Sequence, residues 1–192
     1  MSQFFLQMSG IPGAGKTSIA NVVAAQTNAV IIDHDVTKSA LLSADVPVEL
    51  AGAGSYAVLG GLARHLLAQG HSVIHDSPCR YQNLLDRGLA FAAEFNVTYL
   101  YIECVVADLA EIDHRLRTRQ RHPSQIASIY GEPTAGSGKK VSGEAVFQNW
   151  MDNMKRPESN YLTLDMSRPF AQCAADAMAY LAANGCMKSL LE

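Results

Sequence analysis

Eight residues near the amino terminus have the types and the spacing needed to hold a chain of phosphates. The run Gly10-Ile11-Pro12-Gly13-Ala14-Gly15-Lys16-Thr17 fits the pattern G-x-x-x-x-G-K-[ST] in full. Its glycines let the backbone come close to a ligand, so that successive N–H groups point into one hollow. In such a loop the lysine reaches the β- and γ-phosphates, and the hydroxyl of Thr17 is the expected Mg²⁺ ligand. We predict that this run and the adjoining Ser18 bind ATP.

The segments around this loop alternate between two apolar patterns. Residues 3–8 predict a strand that leads into the loop, and residues 16–26 predict the helix that follows it. Further strands are predicted over 29–33, 72–75, 97–103 and 161–165, and further helices over 35–42, 56–69, 81–94, 108–120, 144–155 and 170–183. Pro47 and the glycines at 52 and 54 predict a loop. The alternation predicts a three-layer α/β fold, a five-stranded parallel sheet with helices on both faces.

The composition restricts the class of protein. A chain of 192 residues, 48% of them hydrophobic, suits a single domain over residues 1–192. Its net charge of −3 argues against nucleic acid as a partner, because proteins that bind nucleic acid non-specifically are usually basic. We find no signal peptide and no apolar run of membrane-spanning length, so we predict a cytoplasmic protein without a membrane partner. The four cysteines form no C-x-x-C pair, and we expect reduced thiols.

The polar residues that follow the predicted strands indicate which kind of phosphate-loop (P-loop) protein this is. Guanine-specific switch proteins carry N-K-x-D after a strand, and this chain has no such element. Mechanical ATPases usually have four apolar residues followed by Asp-Glu, whereas the third strand here runs Val73-Ile74-His75-Asp76-Ser77. These absences favour a small kinase, which moves the γ-phosphoryl group to an acceptor.

Such a kinase needs a carboxylate that orients or deprotonates the acceptor hydroxyl. Asp35 follows the second strand, and Lys38 lies three residues later on the neighbouring surface of the same predicted helix. We predict that Asp35 is the catalytic base and that Lys38 binds the substrate. The alternative is that Asp35 caps the helix and Lys38 is a solvated charge. Asp33 is the weaker candidate, with a role in orienting the loop.

Asp76 and Arg80 follow the third strand. Ligands of parallel sheets bind beyond the carboxyl ends of the strands, so both side chains are placed near the phosphate loop. We predict that Asp76 holds Mg²⁺ together with Thr17, or contacts a substrate hydroxyl, and that Arg80 touches the substrate. The alternative for Asp76 is a cap for the turn that contains Pro78.

Four arginines at alternate positions predict a lid over the phosphates. Arg115 and Arg119 share one face of the predicted helix, and Arg117 and Arg121 share another. Residues 122–143, rich in glycine and proline, extend the predicted lid to about 115–143. A guanidinium can bridge the β- and γ-oxygens as charge develops during transfer. The alternative is a solvated basic helix.

The chain resembles the P-loop kinases related to polynucleotide 5′-kinase, zeta toxin and chloramphenicol phosphotransferase. The resemblance rests on four segments in the same order, of which the first is highly specific and the others are short. These are Ser9–Thr17, Asp33-His34-Asp35-Val36-Thr37-Lys38, Asp76 and Arg115-Leu116-Arg117-Thr118-Arg119.

The resemblance implies a strand order of 2-3-1-4-5 and a role for several of these residues. In this group an aspartate after the second strand is the base, which corresponds to Asp35. An arginine three residues on binds the acceptor or a phosphate, and here that position is Lys38, which cannot form the bidentate fork of arginine. The lid arginine near the nucleotide corresponds to Arg119, with Arg115 in support. The loop after strand five often borders the adenine, which implicates Asp165–Arg168 and, as a nucleotide-binding residue, Arg168.

We therefore expect an ATP- and Mg²⁺-dependent kinase that acts on a hydroxyl of a small molecule, either a metabolite or a nucleoside-like acceptor. Lys16, Asp35 and Arg119 are the expected catalytic residues. One alternative is a polynucleotide 5′-hydroxyl kinase. Another, from a different class, is a nucleotide-sensing protein whose lid closes without chemistry. The sequence carries no prediction of oligomeric state.

Overall fold

The computed structural model describes residues 2–131 and 143–187. Five strands and seven helices alternate along these ranges. The strands are β1 Phe4–Ser9, β2 Val30–Asp33, β3 Val73–Asp76, β4 Thr98–Val105 and β5 Leu162–Asp165. The helices are α1 Lys16–Thr27, α2 His34–Ser43, α3 Val48–Ala68, α4 Gln82–Phe95, α5 Leu109–Thr118, α6 Glu144–Asp152 and α7 Phe170–Ala183.

The strands form one parallel sheet in the order β2-β3-β1-β4-β5. This confirms the predicted sheet and the strand order implied by the resemblance. β1 lies at the centre, where Phe5 pairs with Val73 of β3 and with Tyr99 of β4. All six residues of β1 are buried, as expected for a central parallel strand covered on both faces.

Alternate side chains of β1 supply the two faces of the core. Phe4 and Leu6 belong to a large cluster that includes Ile19 of α1. Phe5 points to the other face and packs with Leu59 of α3 in a second cluster. The period of two along the strand therefore anchors helices on both sides of the sheet, and the end of β1 is held firmly where the phosphate loop begins.

The prediction of a loop at Pro47, Gly52 and Gly54 is wrong, because α3 starts at Val48 and contains both glycines. Glycine costs a helix about 1 kcal/mol relative to alanine, which lowers the helical signal of this segment. Packing outweighs that cost here, since Ala51, which precedes Gly52 in the helix, is fully buried. Gly54 also approaches Leu41 of α2, where an added Cβ would lie 3.5 Å from a methyl carbon.

Two other helices end before their predicted ends. α5 ends at Thr118 instead of residue 120, and Arg119 has extended backbone angles. α6 ends at Asp152 instead of residue 155, because the backbone N–H of Lys155 donates to the carbonyl of Cys79 at 3.0 Å and draws the chain toward the sheet. Of the predicted lid, residues 132–142 lie outside the described residues.

Within residues 2–131 and 143–187, no helix is both long enough and apolar enough to span a bilayer.

Candidate active site

A cavity of about 930 Å³ opens at the carboxyl ends of the strands. Its wall combines the phosphate loop after β1, the start of α2, the chain after β3, the end of α5 and the turn after β5. Three polar residues at or near strand ends, Ser9, Glu103 and Asp165, do not line it. Glu103 of β4 instead forms a bidentate ion pair with Arg156, and Asp165 of β5 accepts hydrogen bonds from Ser167.

The backbone of the phosphate loop depends on glycine at two positions. Gly15 has a φ of 98° where α1 begins, a left-handed conformation that side chains disfavour. Gly10 has a φ of 128°, and an added Cβ would lie 2.3 Å from the carbonyl oxygen of Cys104. The loop can therefore turn tightly against β4 only without side chains at these positions.

The loop residues divide between the cavity and the core. The cavity wall includes six of the predicted nucleotide-binding residues, namely Pro12, Gly13, Gly15, Lys16, Thr17 and Ser18. The side chains of Ile11 and Ala14 are instead buried in the core cluster, and Gly10 is buried beneath the loop. These three residues support the loop from the side of the core, and they present no side chain to the cavity.

Lys16 is folded back over its own loop. Its Nζ donates to the carbonyl oxygens of Gly10 and Ile11, each at 3.0 Å. Burial lowers the pKa of Lys16, while the nearby carboxylates of Asp76 and Asp35 act in the opposite direction. A phosphate would offer this ammonium a charged acceptor in place of two neutral carbonyls, so the side chain is positioned to move onto it.

Thr17 and Asp76 meet at the same edge. The Thr17 hydroxyl donates to Oδ2 of Asp76 at 2.5 Å, and Asp76 is buried. Burial raises the pKa of Asp76 to about 6, although the Lys16 charge and the Thr17 hydrogen bond oppose the increase.

These oxygen atoms fit Mg²⁺, which prefers oxygen ligands and usually binds through one or two protein groups, phosphates and water. No cluster of three or more His, Cys, Asp or Glu side chains capable of holding a metal occurs within the described part of the chain. Thr17 and Asp76 are therefore the groups through which a Mg²⁺–nucleotide complex would be held.

Asp33 and Asp35 have different roles. Asp33 caps α2, because its Oδ1 accepts the backbone N–H groups of Asp35 at 2.6 Å and Val36 at 3.1 Å. The alternative in which Asp35 caps the helix is therefore wrong. The carboxylate of Asp35 is left to line the cavity, where Oδ2 accepts from Nε2 of Gln125 at 2.8 Å.

Asp35 remains ionised despite its partial burial. Burial would raise the pKa of Asp35, but contacts with His34 and Gln125 and the charge of Lys16 outweigh it, and the pKa lies well below its usual range. The Nδ1 atom of His34 is 3.4 Å from Oδ1 of Asp35. The residue therefore presents a full negative charge to the cavity at neutral pH.

The arginines of α5 separate as their spacing predicts. Arg115 and Arg119 line the cavity, whereas Arg117 turns away and donates to Asp113 at 2.6 Å and Ser128 at 2.9 Å. Arg115 donates to the carbonyl oxygen of Met166 at 2.8 Å, which links α5 to the turn after β5. Arg121 is not among the residues that line the cavity.

The remaining predicted residues, Lys38, Arg80 and Arg168, also line the cavity. Arg168 lies at the exposed rim and donates to Oδ2 of Asp176 at 2.8 Å. The guanidinium of Arg80 stacks on the ring of Trp150, with 4.2 Å between its Cζ atom and the ring centroid.

Among the wall residues that the sequence did not predict, Gln125 and Trp150 contact predicted site residues, namely Asp35 and Arg80. Trp150 is the single tryptophan of the chain, and that rarity was the only available signal. Gln125 lies in an irregular segment, and no local pattern connects it with Asp35, which is 90 positions away.

Comparison of the sequence with known protein families identifies a match. The sequence profile AAA_33, described as "AAA domain", matches residues 6–129. The chain belongs to the AAA domain family. The match to this AAA domain includes the phosphate loop, Asp35, Asp76 and the arginines of α5. No curated protein matches the sequence of this chain significantly.

Solved structures share the fold of this AAA domain. A candidate kinase from Chloroflexus aurantiacus J-10-fl aligns with a TM-score of 0.70 and 18% identity, over 98% of this chain and 100% of that chain. The APS kinase CysC of Mycobacterium tuberculosis, in complex with AMPPNP and APS, aligns with a TM-score of 0.64 and 17% identity, over 94% and 98%. A gluconokinase from Sinorhizobium meliloti 1021 aligns with a TM-score of 0.60 and 15% identity, over 93% and 91%.

Proposed function

We propose that this AAA domain is an ATP- and Mg²⁺-dependent kinase that transfers the γ-phosphoryl group to a hydroxyl of a small molecule. The observation that carries the proposal is that one cavity contains the phosphate-loop ammonium of Lys16, the carboxylate of Asp35 and the guanidinium of Arg119. These charges are close enough to interact, since Asp35 acts to raise the pKa of both cations against the lowering effect of burial.

The phosphate end of this cavity is suited to a triphosphate. The backbone N–H groups at the start of α1 and the positive end of its helix dipole favour a polyanion. Lys16 would bind the β- and γ-phosphates, and Thr17 and Asp76 would hold Mg²⁺, which neutralises charge on those oxygens. Among similar folds, the APS kinase that contains AMPPNP supports ATP as the nucleotide.

Asp35 supplies the base for the acceptor. Its carboxylate would accept a hydrogen bond from the acceptor hydroxyl and turn the oxygen lone pair toward the γ-phosphorus. A bond then forms between that oxygen and phosphorus, the bond from phosphorus to the β–γ bridging oxygen breaks, and the hydroxyl proton passes to Asp35. The low pKa of Asp35 is compatible with this role. In a loose transition state the proton of the acceptor hydroxyl is transferred late, so a strong base is not required.

Arg119 would stabilise the charge that develops during transfer. Its guanidinium donates to the carbonyl oxygen of Ile126 at 3.2 Å, while its buried Nε has no hydrogen-bond partner within the described residues. A cation held in place in a partly buried site stabilises the transferring group more than the same cation in solvent does. Arg115 would add a second positive charge on the same wall.

The experiment that tests the proposal is incubation with γ-labelled ATP, Mg²⁺ and a metabolite extract, followed by identification of the labelled products. We expect label in at least one small hydroxyl compound, and the Asp35→Asn variant should label it much more slowly. Binding of ATP with no labelled product from any fraction would contradict the kinase and favour a nucleotide sensor. Label only in oligonucleotides would contradict the small-molecule acceptor.

A further inference from the structure

Two cations on the acceptor side of the cavity have no counterion within the described residues. Lys38 of α2 and Arg80 after β3 both line the wall, and neither makes an ion pair or a hydrogen bond to another described residue. Of the other cavity cations, Arg115 pairs with Glu111 and Arg168 pairs with Asp176. Lys16 and Arg119 make no ion pair with the described residues but donate to backbone carbonyls. The acceptor side therefore carries two cations that have no direct ion pair within the described residues, although the charge of Asp35 acts on Lys38.

The position of Arg80 is fixed by aromatic packing. Its guanidinium stacks on Trp150, which in turn packs on Phe147 with 5.0 Å between ring centroids. The neighbouring Cys79 is held to the chain after α6 through its carbonyl, which accepts the N–H of Lys155 at 3.0 Å. A guanidinium stacked by its face keeps its N–H edge for a planar or tetrahedral oxyanion.

Unpartnered polar atoms are concentrated around this wall. Within the described residues, seven buried side-chain nitrogen or oxygen atoms have no hydrogen-bond partner, and five of them belong to four residues that line the cavity. These residues are His34, Ser77, Arg80 and Arg119. One of the five atoms, Nδ1 of His34, lies 3.4 Å from Oδ1 of Asp35, and the other four have no partner in the described part of the chain. Such atoms are costly to leave unpaired, so this concentration indicates a polar ligand.

We propose that Lys38 and Arg80 form a subsite for an oxyanion carried by the phosphoryl acceptor. This inference rests on the proposed kinase function and narrows its substrate class to hydroxylated acids, either carboxylates or phosphate esters, rather than neutral polyols. Lys38 lies three residues after Asp35 on α2, so an acceptor whose hydroxyl faces Asp35 can place its anionic group at Lys38 within the length of a small molecule.

The electrostatics of Lys38 agree with this arrangement. Burial lowers the pKa of Lys38, and the like charge of Arg80 lowers it further, against the opposing effect of Asp35. Two cations held near each other attract an anion that binds both.

Anion binding to nucleotide-loaded protein tests the subsite directly. The phosphate loop is first saturated with AMPPNP and Mg²⁺, and inorganic phosphate or acetate is then titrated by calorimetry. Fluorescence of Trp150, the single tryptophan, gives a second readout beside Arg80. The variants are Lys38→Met and Arg80→Met, with Arg64→Met as the matched control because Arg64 pairs with Glu94 and does not line the cavity.

We expect saturable binding of at least one of the two anions, weakened about tenfold or more in each cavity variant and unchanged in Arg64→Met. Preference for phosphate would identify a phosphate ester as the acceptor, and preference for acetate would identify a carboxylate. Absence of saturable binding of both anions, or equal binding in all variants, would overturn the subsite.

A second experiment separates failure of the subsite from failure of the kinase proposal. The metabolite extract is divided by anion exchange into bound and unbound fractions, and each is incubated with γ-labelled ATP and Mg²⁺. Label from the bound fraction is expected, with a clear loss in Arg80→Met. Label from the unbound fraction alone would overturn the anionic acceptor while leaving the kinase intact. Label in neither fraction would count against the kinase, and the anion titration would still decide the subsite.

Discussion

The side chains of Thr17 and Asp76, 59 positions apart in sequence, share a 2.5 Å hydrogen bond at the edge of the sheet. It joins the first turn of α1 to the last residue of β3. Both oxygens that the proposed Mg²⁺ site requires are therefore in contact before any metal binds. The bond also fixes where a metal would lie relative to Lys16, which is adjacent to Thr17 in the loop.

Replacement of Asp76 tests how much the buried carboxyl destabilises the folded protein, because this effect depends on pH. Its folded-state pKa of about 6 lies above the reference value of 3.8 because the carboxyl is buried. The contribution of the Asp76 carboxyl to stability is therefore fully present below its pKa in the unfolded state, and it is lost as the pH rises through about 6. For ligand-free Asp76→Asn, we expect a gain in the free energy of unfolding of up to about 3 kcal/mol at about pH 7.5, and of only about 1 kcal/mol at about pH 4.5.

Urea unfolding at both pH values measures this difference. Burial also lowers the pKa of His75, to about 3, which gives a pH dependence of the opposite sign, but His75 is present in both proteins and cancels in the comparison. An equal stability difference at both pH values would contradict the assignment. The variant should also lose most of its Mg²⁺-dependent nucleotide affinity.

Replacement of Lys16 tests the phosphate loop. Lys16→Ala should slow phosphoryl transfer about a thousandfold, equivalent to about 4 kcal/mol in the barrier, because the ammonium that stabilises the transferring charge is lost. Its described hydrogen bonds are only to carbonyls of its own loop, so the free energy of unfolding should change little. Transfer rates and urea unfolding measure the two effects. Lys155→Ala, outside the cavity wall, is the control.

Replacement of Asp35 separates binding from transfer. Asp35→Asn should leave the affinity for AMPPNP and Mg²⁺ close to wild type and lower kcat by about a hundredfold or more, because the amide cannot take the acceptor proton. Calorimetry and steady-state rates measure these quantities. Asp108→Asn is the matched control, since Asp108 caps α5 outside the cavity and asparagine also caps helices. Transfer at the wild-type rate in Asp35→Asn would show that another group is the base.

Arg117 and Arg119, at alternate positions at the end of α5, allow a paired test of the predicted lid. Arg119→Met should lower kcat by about a hundredfold, because a cation in the cavity wall is lost. Arg117→Met should leave kcat nearly unchanged and lower the Tm slightly, because Arg117 contacts Asp113 and Ser128 instead of the cavity. Equal kcat in the two variants would contradict the assignment of Arg119 to the transferring phosphoryl group.

Patterns among residues close together in the sequence account for most of the features of the fold and of the candidate site that could be predicted. The spacing of glycines, Lys16 and Thr17 encodes the phosphate loop, because loop conformation and helix start depend on adjacent residues. Apolar periodicity identified all five strands, and resemblance supplied their order, which the structure confirms. The spacing of Arg115 and Arg119 placed them on one side, and this holds although Arg119 follows the end of α5, because its backbone N–H still donates to the carbonyl of Arg115. Where glycine weakened the helical pattern, at Gly52 and Gly54, the prediction failed.

Tertiary structure alone decided which polar groups are occupied and which are free. Asp33 and Asp35 both lie at the end of the second strand, and the folded chain uses Asp33 to cap α2 while the carboxylate of Asp35 lines the cavity. Gln125 reaches Asp35 across 90 positions, and Trp150 supports Arg80 from a helix 70 positions further along the chain. Such contacts arise when packing of the core brings distant elements together, and no spacing in the sequence encodes them.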